Sequence, residues 1–272
     1  MWLIILKCCV SLTLLARGWL TWKWDSPIRG LFWREDWWGG LIDWKKFATE
    51  SDSAITMGLE TVGLIMMVSA VIPWLASFSW LKWTGWLLIP AAGILMVDSL
   101  ARFADSGNEL GMAIEHTLQW SSPLFLLAAL YLDNSKRQRS WTLLIYVAIA
   151  LTFIGHGFYA MGFHSVPLKF QTMTTTLLKL SESGALIFLS IAGYLDFLAA
   201  IGLFIPGRIR TASVIYTIAW GALTAFARVA VGPGLDPWLM ETLVRSSHWM
   251  IPLVVLLLSS SKQSLEESSA TS

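Results

Sequence analysis

The chain has 272 residues, of which 56% are hydrophobic and only 14% are charged. Soluble domains carry about 25% charged residues, so this composition excludes an ordinary soluble protein and indicates an integral membrane protein. The net charge of +1 gives no reason to expect a nucleic acid as a partner. The 17 tryptophans agree with this interpretation, because Trp favours the headgroup zone of a bilayer.

Several apolar stretches are long enough to cross a bilayer, whose hydrocarbon core takes about 20 residues of helix. We therefore predict an all-α integral membrane protein with about eight transmembrane helices. We interpret the first as a true span rather than a cleaved signal peptide, since no small-x-small cleavage site follows it. The predicted spans are 3–22, 54–77, 83–101, 112–132, 141–163, 183–205, 212–231 and 239–259.

The connection 23–53, between the first two predicted spans, is long and mixes tryptophans with charges of both signs. A segment of this kind is expected to lie in the interface plane rather than to cross the bilayer. Within this Trp-rich insertion, Trp33, Trp37 and Trp38 are candidates for docking a partner protein. The stretch 164–182 is its amphipathic counterpart in the second half of the chain.

The sequence contains an internal repeat, and a period this long is typical of a duplicated domain. The offset between matched positions falls from 139 to 126 residues, and the matches are Gly18 with Gly157, Ala101–Ala104 with Ala227–Ala230, and Glu115 with Glu241. We predict two parallel four-helix repeats, each with an interfacial segment after its first helix. The predicted parts are a first repeat at 1–133, a basic cytoplasmic linker at 134–140, a second repeat at 141–259 and a polar disordered tail at 260–272.

Basic residues set the predicted orientation. The loops at 133–139 and 206–210 are basic and lie on the same side as both termini in an eight-helix chain. By the positive-inside rule that side is cytoplasmic, which predicts a multi-pass protein with N-in and C-in topology. The connection 23–53 lies on the other side of the membrane in this topology, and its five basic residues favour the reverse orientation, although six acidic residues accompany them.

Ionisable residues inside spans need an explanation, because each costs at least about 2.5 kcal/mol at a helix centre. Spacing of i,i+4 along a helix and short loops between helices predict four ion pairs: Asp98–Arg102, Glu241–Arg245, Arg228–Glu241 and Arg102–Glu115. Two interpretations remain open. The pairs either fix helix ends near the interface, or line a polar pocket that binds an anionic or quinone-like head group or passes protons.

Most of these side chains are expected towards the outer leaflet, while Asp196, Arg245 and His248 are expected deeper. The candidate ligand or quinone site comprises Arg17, Glu60, Arg102, Glu115, His156, Arg228 and Glu241. Catalytic residues are unknown from the sequence, and no spacing typical of a metal site occurs. Two imidazoles on facing helices could ligate a haem iron, but no pair of histidines repeats between the halves.

Small residues surround one of these candidates. In Gly155-His156-Gly157 the glycines either allow close helix packing or open space for a ligand beside the imidazole. Cys8 and Cys9 are adjacent in an apolar run, and we interpret them as buried thiols rather than as part of a disulfide framework.

Three features of each half carry a family resemblance. A polar residue precedes glycine in the first helix, an acidic residue lies near small residues in the second, and a basic residue ends the third. The residues are Arg17-Gly18 and His156-Gly157, Glu60–Gly63 and Gly193–Asp196, and Arg102 and Arg228. The chain resembles a tandem duplication of the DoxX/DoxD-like four-helix membrane family over almost its whole length. It departs from the usual single copy by the duplication and by the insertion at 23–53.

The resemblance implies a protein of the bacterial inner (cytoplasmic) membrane, acting as a subunit linked to quinone-dependent redox chemistry. DoxD-type members are associated with thiosulfate:quinone oxidoreduction. The alternative is a non-catalytic structural or accessory subunit of a larger membrane protein complex. The third hypothesis is a small-molecule transporter, because duplicated halves around a membrane site are common among transporters. Whether the protein is an enzyme is open.

The sequence itself shows no cofactor, and a bound quinone or lipid is the expected ligand. The expected partners are membrane lipids and other membrane or periplasmic protein subunits.

Overall fold

The computed structural model describes residues 1–131, 135–232, 234 and 236–270, and for 135–139 and 260–270 the backbone alone. Every regular element in this part of the chain is a helix, which confirms the all-α prediction. Seven segments have the length and hydropathy of membrane spans: Trp2–Trp24, Asp52–Leu75, Ser79–Asp105, Ser140–Ala160, Glu182–Gly202, Arg208–Val231 and Trp238–Ser259. The chain is therefore a multi-pass membrane protein whose apolar helices contact lipid.

The first span is followed by three short helices in the Trp-rich insertion. Asp43 caps the last of them, because its side chain accepts a hydrogen bond from the backbone N–H of Lys46 at 3.2 Å. The elements are α1 (Trp2–Trp24), α2 (Ile28–Phe32), α3 (Glu35–Trp38) and α4 (Trp44–Glu50). The three short helices are too short to cross a bilayer, as expected for an interfacial segment.

The second and third spans each combine two helical pieces. Pro73 and Pro90 lie in first turns, where the missing N–H breaks no intrahelical hydrogen bond. The pieces are α5 (Asp52–Ser69) with α6 (Ile72–Leu75), and a 3₁₀ helix (Ser79–Leu87) with α7 (Leu88–Asp105).

The predicted fourth span, 112–132, is divided into α8 (Leu110–Glu115) and α9 (Thr117–Tyr131). Side chains satisfy backbone groups at the break: His116 Nδ1 lies 3.1 Å from the carbonyl oxygen of Met112, and Thr117 Oγ1 donates to that of Ile114 at 2.7 Å. Helix α9 has 15 residues, fewer than a full crossing needs. The described residues therefore hold seven candidate spans where the sequence predicted about eight.

The second half contains six helices: α10 (Ser135–Ala160), α11 (Leu168–Leu178), α12 (Glu182–Gly202), α13 (Arg208–Val231), α14 (Trp238–Val244) and α15 (Ser247–Ala270). Helix α10 begins within the predicted linker 134–140, and α15 continues past residue 260, the predicted start of the polar tail. Residues 132–134 and 271–272 of these predicted segments lie outside the described residues.

Glycines allow two helix pairs to pack closely. A Cβ added to Gly63 of α5 would lie 2.7 Å from the carbonyl oxygen of Gly18 on α1. In the second half, a Cβ added to Gly193 of α12 would lie 3.1 Å from the carbonyl oxygen of Gly157 on α10. Without a side chain at these positions, helix backbones approach closely inside a membrane.

The short helices α8 and α14 each pack against a helix of the other half of the chain. Helix α8 packs against α10, and α14 packs against α1. A Cβ added to Gly155 of α10 would lie only 2.6 Å from the backbone nitrogen of Glu115, so Gly155 serves close packing. This exchange brings polar residues from both halves to the middle of the bundle.

Candidate functional site

The polar residues of the first half form a closed network around Arg17 on α1. Its Nη2 donates to Oε1 of Gln119 at 2.9 Å, and its Nε lies 3.4 Å from Oδ2 of Asp98. Arg102 Nε donates to the same Asp98 oxygen at 3.0 Å, which is the i,i+4 pair expected from the spacing. Asp98 also accepts from the hydroxyl of Ser26 at 3.4 Å. Two cations, Arg17 and Arg102, and the hydroxyl of Ser26 therefore surround Asp98.

Glu115 on α8 contacts histidines rather than Arg102. Its carboxylate oxygens lie 3.5 Å from His116 Nε2 and 3.8 Å from His156 Nδ1. The predicted Arg102–Glu115 ion pair is not formed, because Asp98 on the same helix already pairs with Arg102.

In the second half, Glu241 pairs with Lys169 and lies 3.9 Å from Arg228 Nε, so the predicted Arg228–Glu241 contact is present but long. Burial lowers the pKa of Lys169, which lies on α11 with its ammonium 4.3 Å from the centre of the Trp238 ring. Arg245 donates to the backbone carbonyl of Glu241 at 3.2 Å. The predicted Glu241–Arg245 side-chain pair is not formed, since Lys169 and Arg228 face that carboxylate.

Two histidines meet between α10 and α15. The ring centres of His156 and His248 are 5.2 Å apart, and Phe153 packs beside His156 at 6.4 Å. Arg228 on α13 is 1% exposed, and its Nη1 donates to the carbonyl oxygen of Thr224 one turn earlier. Its Nε has no hydrogen-bond partner, which makes it an available buried donor.

A cavity of about 280 Å³ lies beside these residues, enclosed by α10, α11, α12 and α13. Most of its wall is apolar and includes Phe153, Phe170, Phe188 and Leu189. Leu177 and Leu223 also line it and are exposed on the outside of the helix bundle. The cavity therefore reaches the surface that faces lipid.

The same cavity has polar groups at several points of its wall. His156, His248, Arg228 and Thr224 contribute to it, as does Asp196 of α12. Asp196 is buried and accepts a hydrogen bond from the hydroxyl of Tyr216 at 2.8 Å. Asp196 and His248 were not among the residues predicted for the candidate site, although their positions deep in apolar spans were the signal that could have placed them there.

Glu60 is not part of this cluster. It is exposed on α5, whereas the buried side of that helix carries Leu59, Gly63 and Met66. Consecutive residues point about 100° apart around a helix, so Leu59 faces the bundle and Glu60 faces away. The structure therefore does not bring Glu60 together with the other candidate residues.

The candidate docking tryptophans differ from one another. Trp33 packs against Trp44 and Phe47 with ring centres 6.2 and 5.8 Å away, so it stabilises the insertion. Trp37 and Trp38 are 50% and 38% exposed, and only these two present a free surface.

Comparison with known proteins identifies no relative. No protein-family profile matches the chain, and searches of curated proteins and of solved structures return no significant match.

A second cavity, of about 460 Å³, lies between α9 and α10. Its wall includes Trp120, Leu124, Phe125 and Trp141 and is almost wholly apolar. It lacks the cluster of buried polar groups that marks the first cavity, so the first is the better candidate for specific recognition.

Proposed function

We propose that this protein is a membrane subunit that binds a quinone-type molecule in the cavity between α10 and α13 and is linked to quinone-dependent redox chemistry. One observation supports this most: an apolar cavity that opens towards lipid ends at Arg228, His156 and His248. Ligand sites are mostly apolar with a few polar groups that fix orientation. A quinone ring is apolar and carries carbonyl oxygens that accept hydrogen bonds.

The donors of the cavity suit such a carbonyl. An arginine is always a donor, and a neutral imidazole donates from one of its two nitrogens. A buried donor without an acceptor costs about 1–3 kcal/mol, so Arg228 Nε, which has no hydrogen-bond partner, favours a ligand that brings an acceptor. The isoprenoid tail would leave between Leu177 and Leu223, on the lipid side.

The proposal includes the finer architecture expected from the sequence. Two parallel repeats with N-in and C-in topology, in a bacterial inner membrane, would place Arg228 and His156 towards the outer leaflet. Because both termini lie on one side only after an even number of crossings, this topology requires α8 and α9 to cross together as an eighth span, like the combined segment Trp238–Ser259 of α14 and α15. Gly18 packs closely on Gly63, and Gly157 packs closely on Gly193. This supports a duplication, because the pair α1 and α5 and the pair α10 and α12 both make their contact through glycines.

Binding of a short-chain quinone tests the proposal. Protein in lipid nanodiscs is dialysed against decylubiquinone, and the bound fraction is measured by chromatography of the extracted lipid. Ala192 lines the cavity, so Ala192→Phe should fill it and abolish binding. Val62→Phe, at the position on α5 that corresponds to Ala192, is the matched control and should retain binding. Wild-type protein that binds no quinone, or equal binding by Ala192→Phe, would overturn the proposal.

A second candidate is an accessory role in a larger membrane complex. The exposed Trp37 and Trp38 lie outside the spans, where a partner subunit could cover them. Replacing both with Ser should then release the protein from any complex isolated in mild detergent. Trp80 and Trp83, which are 73% and 62% exposed, provide the control pair. Equal release by both double variants would show that the loss of any two tryptophans releases the protein, which would contradict a specific docking surface at Trp37 and Trp38.

A further inference from the structure

The two halves can be matched position by position. The sequence Trp120-Ser-Ser-Pro123-Leu124 on α9 corresponds to Trp249-Met-Ile-Pro252-Leu253 on α15, and both prolines lie inside their helices. Together with the paired glycines of α1, α5, α10 and α12, this match fixes which residues of the two halves are equivalent.

This correspondence pairs each polar residue of the cavity with a residue of the first half. His156 corresponds to Arg17, and His248 corresponds to Gln119. The remaining pairs are Arg228 with Arg102, Thr224 with Asp98, and Asp196 with Met66. Each half has a contact between its first two residues in this correspondence. In the first half Arg17 donates to Gln119 at 2.9 Å, and in the second half the ring centres of His156 and His248 are 5.2 Å apart.

In the first half, these positions contact one another. Neither Arg17 Nε nor Arg228 Nε has a hydrogen-bond partner, but Arg17 Nε lies 3.4 Å from the carboxylate of Asp98, whereas Arg228 Nε lies 3.9 Å from that of Glu241. Asp98 is 3% exposed and contacts both Arg17 and Arg102, while Met66 is fully buried. In the second half Thr224 replaces the aspartate and offers Arg228 only its backbone carbonyl. The cavity of about 280 Å³ lies at this second set of positions.

We propose that the first half carries a closed counterpart of the second-half site, in which the carboxylate of Asp98 takes the place of a ligand's acceptor. Each chain then binds a single quinone-type molecule, through the second half, and Arg17, Asp98 and Gln119 determine this selectivity. The inference rests on the function proposed above, and concerns which half performs it.

Exchanging the residues between the halves tests the inference. The triple variant Arg17→His, Asp98→Thr, Gln119→His removes one cation and one anion together, so the net charge is unchanged. Arg102 then faces a threonine, as Arg228 does in the second half. Dialysis against decylubiquinone should show the bound amount rising from one to two molecules per chain. When Ala192→Phe is added to the triple variant, one molecule should remain bound.

The reciprocal variant His156→Arg, Thr224→Asp, His248→Gln tests the same idea in the opposite direction. It should fold, because it reproduces the network of the first half, and its quinone binding should fall at least tenfold. Retained binding by the reciprocal variant, or a stoichiometry of one in a folded triple variant, would overturn the inference while wild-type binding still supported the proposed function. Wild-type protein that binds no quinone would instead contradict the function itself. If the triple variant does not fold, the reciprocal variant alone decides.

Discussion

The imidazole rings of His156 and His248 lie 5.2 Å apart, on helices α10 and α15. Both side chains are largely buried, and both line the cavity of about 280 Å³. His248 Nδ1 lies 3.2 Å from the carbonyl oxygen of Arg245, so a neutral ring donates from this nitrogen. His156 Nδ1 lies 3.8 Å from the carboxylate of Glu115, beyond hydrogen-bond distance. The pair therefore joins the two helices at the polar end of the cavity.

The first prediction concerns this pair. His156→Phe keeps the ring volume but removes both nitrogens, so we expect the affinity for decylubiquinone to fall about tenfold, the effect of losing one hydrogen bond of about 1.4 kcal/mol. Dialysis at several quinone concentrations measures the change. His164→Phe is the control, because His164 does not line the cavity, and its affinity should equal that of the wild type. Unchanged affinity in His156→Phe would mean that this imidazole does not contact the ligand.

The second prediction concerns close packing. Gly63→Ala would place a methyl group 2.7 Å from both the Gly18 carbonyl oxygen and the Trp22 nitrogen, so α1 and α5 must separate. Overpacking of this kind costs about 1–3 kcal/mol, and the melting temperature in detergent should fall. Gly58→Ala, on the same helix and facing open space, should leave it unchanged or raise it. Equal melting temperatures for the two variants would contradict the tight contact.

Sequence patterns predicted the helices better than the site. Apolar length indicates a span wherever it occurs, and the Asp98–Arg102 pair follows from one helix alone. The contact of Arg17 with Gln119 joins helices 102 residues apart and depends on how the helices pack. Glu60 lies apart from the other candidates, on the side of α5 opposite the buried stripe of Ile55, Leu59 and Met66, which helical spacing could have revealed.

The third prediction separates a structural from a functional role for Arg228. Arg228→Leu removes the guanidinium donors from the cavity and keeps both imidazoles. Lys169 still pairs with Glu241 in this variant, so no carboxylate is left alone. We expect the variant to insert normally and to lose quinone binding. The amount of protein in the membrane and the amount of quinone bound per protein are measured on the same sample. Arg102→Leu is the matched control in the first half and should retain binding. If Arg228→Leu disappears from the membrane, the residue is needed for folding instead.

The last prediction concerns pH and the attachment of α1 to the segment before α14. Asp236 accepts hydrogen bonds from the indole N–H groups of Trp19 and Trp24 at 3.1 and 2.9 Å, and Lys23 Nζ lies 2.8 Å from its other oxygen. The Lys23 ammonium and the two indole donors lower the pKa of Asp236 below its usual range. A lowered pKa in the folded state stabilises the protein above the unfolded pKa of about 3.9, and this stabilisation is lost as the pH falls through the folded pKa.

Asp236→Asn should therefore lower the melting temperature at pH 7, and its difference from the wild type should shrink as the pH falls below about 4. Melting curves of both proteins in the same detergent, from pH 7 to pH 3, measure this convergence. Glu50→Gln, at the exposed end of α4, provides the control and should follow the wild type throughout. A difference that stays constant with pH would show that the ionised carboxylate of Asp236 does not hold the end of α1.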